Sequence, residues 1–121
     1  MKKLFLRLLL VLAPVIVFTS CDDRGKEKNF NGVQLFYTSE IRESQADSLG
    51  KFLIDNGFAD GQTKTVQITK TEKTYEFRMV VKKGIEQDQE YCDMAKEMGA
   101  LLSVTLFGEA QVDVHFCDEN L

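Results

Sequence analysis

The sequence has little of what catalysis and metal binding draw on. It holds one histidine, His115, and three cysteines, Cys21, Cys92 and Cys117, with no Cys-x-x-Cys pair. A Gly-x-Ser-x-Gly elbow, a His-Glu-x-x-His pair and a phosphate-cradling glycine loop are all missing. The acidic stretch Ile85 to Asp93 lacks the alternating Asp/Asn and the glycine turn of a calcium loop. No apolar run reaches the ~20 residues that a membrane-crossing helix needs. The run Leu8 to Phe18 stops at 11 residues. Basic charge is scarce past residue 20, with 12 Lys and Arg against 19 Asp and Glu, net −7. Such a body repels phosphate backbones, which argues against a nucleic-acid partner. It also lacks a polybasic patch for anionic lipids, so a membrane link would need a separate anchor. Internal repeats and low-complexity segments are absent too.

What is there begins with a leader. Lys2, Lys3 and Arg7 precede the apolar run, as in a secretory signal peptide. The run ends in Phe18-Thr19-Ser20-Cys21 and is followed by Asp22-Asp23. That tetrapeptide resembles the lipobox of bacterial lipoproteins, with Phe18 where the family prefers Leu. The resemblance implies cleavage before Cys21, a diacylglycerol thioether on its sulfur and an acylated amino group. A thiolate suits that alkylation chemistry. Two or more acyl chains hold a protein stably on a bilayer, whereas one does so marginally. Residues 1–20 are then a cleaved signal peptide, and the mature protein sits in the bacterial cell envelope on the inner or outer membrane. The two aspartates resemble both an inner-membrane retention signal and a surface-export signal. No cofactor is implied beyond the lipid on Cys21.

Residues 21–31 read as a flexible polar tether spanning ~17–19 Å. Residues 32–121 read as one domain, large enough for a modest core. Val33, Leu35 and Tyr37 alternate as in a strand. Ala46, Leu49, Gly50 and Leu53 mark one face of a helix over 41–56, with Gly57 as its left-handed stop. Val66 and Ile68, then Tyr75, Phe77, Met79 and Val81, predict a hairpin. A second helix is predicted over 86–107, its inner stripe being Tyr91, Met94, Ala95, Met98, Leu101, Leu102 and Thr105. Val112, Val114 and Phe116 mark a last strand. The order β-α-β-β-α-β predicts an α+β, ferredoxin-like split sandwich. Two helices would cover one face of a four-stranded antiparallel sheet, with the first strand and the Tyr75 strand central. Phe36-Tyr37-Thr38, Leu49-Gly50-Lys51-Phe52-Leu53, Tyr75-Glu76-Phe77-Arg78 and Val114-His115-Phe116-Cys117-Asp118-Glu119 resemble a small domain of uncharacterised bacterial proteins. That resemblance supports the domain boundary and implies no activity.

The sheet face away from the helices is the expected binding face, with Phe36, Arg78 and His115 near its middle. The bland alternative is a solvated face. His115 and Cys117 share this face at i, i+2, with Asp113 beside them, which allows a small redox or metal-binding protein. A transition metal wants three or four ligands, and the alternative is an edge strand with polar outward positions. Cys92 and Cys117 would close a loop of about 25 residues if bonded, worth ~3 kcal/mol, although Cys117 points away from the helices. The expected role is a non-catalytic, lipid-anchored module for an unknown envelope protein or small ligand. Pairing of two copies through the open face is a further possibility.

Overall fold

Val33, Leu35 and Tyr37 are all buried, and Gln34 and Phe36 between them are half-buried on the other side. This period of two makes β2 (Val33–Tyr37) a strand covered by helices on one face. The structure is a computed structural model that describes residues 24–121. The lipobox-like Phe18-Thr19-Ser20-Cys21 and the expected leader, residues 1–20, lie outside the described residues.

The sheet holds β1 (Lys26–Phe30), β2, β3 (Lys64–Thr71), β4 (Thr74–Val80) and β5 (Val112–Cys117), side by side in chain order. Helix α1 (Glu43–Asp55) joins β2 to β3, and α2 (Gln89–Leu106) joins β4 to β5. A 3-10 turn over Ile85–Gln87 precedes α2. The β2–β3 and β4–β5 pairs are parallel, and the β1–β2 and β3–β4 pairs are antiparallel.

The sheet has five strands and is mixed, not four and antiparallel. Each crossover lands on the neighbouring strand, with no strand split between its ends, and β3 is central. Period-two alternation reports which face of a strand is buried; it carries nothing about which strand lies alongside. Within the stretch expected to be a tether, 21–31, Lys26–Phe30 is a strand that pairs with β2 from Lys26↔Tyr37 to Phe30↔Val33. Its sequence KEKNF has a single apolar residue, so an edge strand that meets the helix through Phe30 and Lys28 leaves no periodic apolar trace.

Ala46, Leu49 and Leu53 of α1 and Leu102 of α2 share one core with Val33, Leu35, Val66, Ile68 and Phe77. Both helices therefore cover the same sheet face. Gly57 takes φ 80 just past α1, the left-handed stop expected of it. Gly99 lets α2 close on β5, since a Cβ there would stand 3.0 Å from the Val112 carbonyl oxygen. No buried side-chain nitrogen or oxygen lacks a partner among the described residues.

Candidate functional site

Strand register sets the outer face. Glu27, Phe36, Gln67, Arg78 and His115 stand opposite one another in a single row across all five strands. Phe36, Arg78 and His115 are thus brought onto one face, as expected. The face is not open, however, because Arg24 and the C-terminal residues cross it. The Arg24 guanidinium lies 5.5 Å from the Phe36 ring centre, and Gln67 donates from Nε2 to the Arg24 carbonyl at 3.0 Å. Gln67 is consequently buried, at 6% exposure. Arg24 Nη2 donates to the Glu119 carbonyl at 3.0 Å, tying the first described residue to the last turn of chain. Arg78 donates to the Leu121 carbonyl at 3.2 Å and to Glu76 Oε1 at 2.8 Å. That ion pair, with desolvation opposing it, holds the Glu76 carboxyl below its ordinary range. Arg78, the basic side chain expected on the binding face, is already partnered.

His115 is exposed, but it does not gather ligands. Among the described residues no three His, Cys, Asp or Glu side chains stand close enough to hold a metal. Cys117 lies on the outer face, and burial pushes its thiol up, with Asp118 adding to the rise and Arg78 opposing it. A thiol held protonated is a poor nucleophile and a poor metal ligand. Cys92 lies on the helix side and donates from Sγ to the Glu86 carbonyl at 3.3 Å. Both thiols are free, so the considered Cys92–Cys117 bond is not formed. The sheet itself stands between them.

The sequence reading missed a cleft on the helix side. α1 and α2 barely touch. Beside α2, over the start of β3 and the end of β4 and away from α1, lies a cavity of about 320 Å³. Phe58, Met79, Val81, Met94, Met98 and Phe116 supply most of its apolar wall. Volume and lining are those of a small ligand pocket. It exists because α2 is rotated from its expected setting. Ala95, Gly99 and Leu102 are the buried positions, while Met94 is 57% exposed and Tyr91 and Leu101 are exposed with it. Thr105, also expected inside, is exposed. Apolar residues occur on more than one side of this helix, a wider arc than a single buried stripe requires. That excess was the available signal, together with the clustering of methionine. Three of the chain's four methionines, Met79, Met94 and Met98, line the cleft. Methionine adapts its shape to irregular apolar partners.

Two lysines stand at the cleft. Lys64 is engaged, donating to the Phe58 carbonyl at 2.7 Å and to Asp60 at 2.8 Å, with its ammonium over the Phe58 ring. The same contact pulls the Asp60 carboxyl below its usual range. Lys82 also lines the cleft, is exposed, and makes no side-chain ion pair or hydrogen bond among the described residues.

These features define a class: a two-layer α+β domain of two β-α-β crossovers joined by a hairpin, with an apolar cleft beside its second helix. The chain belongs to the AF_1994_N family, whose model is described as a family N-terminal domain and matches residues 28–121. No curated protein and no solved structure matches the chain.

Proposed function

We propose that this protein is a non-catalytic binding module of the bacterial cell envelope, held at a membrane by lipid on Cys21, whose cleft takes a small apolar ligand. The observation that supports the binding role is the cleft itself. Its wall is apolar, its rim exposes Tyr91 and Met94, and it stands at the low end of ligand-pocket volumes. The anchor rests on the lipobox-like Phe18-Thr19-Ser20-Cys21. Among the described residues no helix is long and apolar enough to cross a membrane. The family's description as an N-terminal domain is in keeping with a module that serves a larger system.

Two measurements test this. Intact mass of natively produced protein should show a chain beginning at Cys21 with acyl mass upon it. A different N-terminus, or an unmodified Cys21, defeats the anchor. Full-length protein carrying [13C-methyl]methionine, in phospholipid nanodiscs, should show Met94 and Met98 methyl shifts when octanol is added. Unmoved methyl signals defeat the cleft as a binding site.

A further inference from the structure

We infer that the cleft selects an anionic amphiphile, a free monocarboxylate with one short alkyl or aryl chain, and that Lys82 reads its head. This rests on the cleft being the binding site. The inference comes from the charge around an otherwise apolar cavity. The wall offers almost nothing polar that is still available. The Lys64 ammonium is already engaged by the Phe58 carbonyl and ion-paired with Asp60. Lys82 is the cation left uncommitted at the rim among the described residues. It follows Val81, which is half-buried in the wall, so its stem starts at the apolar surface and its ammonium reaches water. An apolar tail against Met94, Met98 and Phe116 with a carboxylate at Lys82 uses both parts of the site. The net −7 charge past residue 20 opposes an anion at long range, so the preference comes from Lys82 at contact distance. A cationic amphiphile would meet Lys82 as a like charge, and a neutral one would leave it unused.

The experiment uses full-length protein in zwitterionic nanodiscs, with the methionine methyl signals as readout. Octanoate, octanol and octyltrimethylammonium are titrated against it, with empty nanodiscs as the partition control. Octanoate should bind at least tenfold more tightly than octyltrimethylammonium, and more tightly than octanol. Lys82→Glu, at an exposed position that leaves the core untouched, should abolish the octanoate preference while keeping octanol binding. Met94→Gln, which puts an uncharged polar group in the apolar wall, should weaken all three probes, read from the Met98 methyl signal. Equal affinity for the three probes, or an octanoate preference that survives Lys82→Glu, would overturn the inference and leave the cleft as a neutral apolar site. If anionic nanodiscs shift the methyl signals and octanoate does not, the ligand is a bilayer lipid and the inference is wrong. Failure of all three probes removes the cleft reading and this inference together.

Discussion

Gly50 of α1 lies under the ring of Phe30 in β1, so close that a Cβ on Gly50 would overlap the Phe30 ring carbons. This contact explains how an edge strand with one apolar residue is held. Phe30 closes on the helix, and Lys28, two residues earlier, pairs with Glu43 at 2.7 Å and Asp47 at 2.6 Å on the same helix. Asp47, then Glu43, raises the Lys28 ammonium well above its ordinary range. Gly50 sits in a helix interior, where glycine is intrinsically unfavourable by about 0.5–1 kcal/mol relative to alanine. Its place there is owed to the ring.

Gly50→Ala should therefore destabilise the protein, against the helix-propensity trend, by roughly 1–3 kcal/mol from overpacking. Combining it with Phe30→Ala should cost less than the two changes added, with a coupling of about 0.5–3 kcal/mol in a denaturant double-mutant cycle. Strict additivity would mean that the strand does not press on the helix.

The Glu76–Arg78 pair on the outer face carries a pH signature. Glu76 is held below its ordinary value of 4.5 when folded, chiefly by Arg78. A depressed carboxylate stabilises the fold fully above the unfolded value, and the contribution is lost as pH falls through the folded one. Urea midpoints of the wild type should thus exceed those of Glu76→Gln near pH 7, and the gap should close on acidification below about pH 4.5. Asp60 and Glu40 are shifted the same way, so both proteins will lose some stability in acid. The difference between the two curves isolates Glu76. A gap that stays constant with pH would show that the pair contributes nothing.

The helices and four of the five strands were legible because their residues repeat with the period of the element. Val33, Leu35 and Tyr37, or Tyr75, Phe77 and Met79, state their buried face directly. Strand order was not legible, because a chain that leaves β2 through α1 shows the same alternation whichever strand it returns beside. The outer-face residues were placed correctly by register, yet their cover was invisible. Arg24 and Leu121 reach Phe36 and Arg78 through contacts that no local pattern predicts. In α2, Tyr91, Met94 and Met98 are spaced as well for burial as Ala95, Gly99 and Leu102 are. What decided between them was Gly99, the one position small enough to let the helix approach the Val112 carbonyl.

That approach leaves the far end of α2 to be fixed by Tyr75. The Tyr75 and Phe107 rings stack with centres 4.1 Å apart. The Tyr75 hydroxyl accepts from Gln45 Nε2 of α1 at 3.2 Å, and the Lys70 ammonium lies 4.9 Å from its ring. One side chain of β4 thus touches the first turn of α1 and the residue that ends α2. Tyr75→Phe keeps the stack and removes the hydroxyl, so it should cost about 0.5–1.5 kcal/mol. Phe107→Ala removes a buried ring and should cost ~3–5 kcal/mol. Gln45→Ala should weaken the wild type but have little further effect in Tyr75→Phe, because the bond is already gone. Equilibrium unfolding of the three single variants and the double variant measures this. If Phe107→Ala proves as mild as Tyr75→Phe, the stack does not anchor α2, and the cleft beside that helix would have to be held by β5 alone.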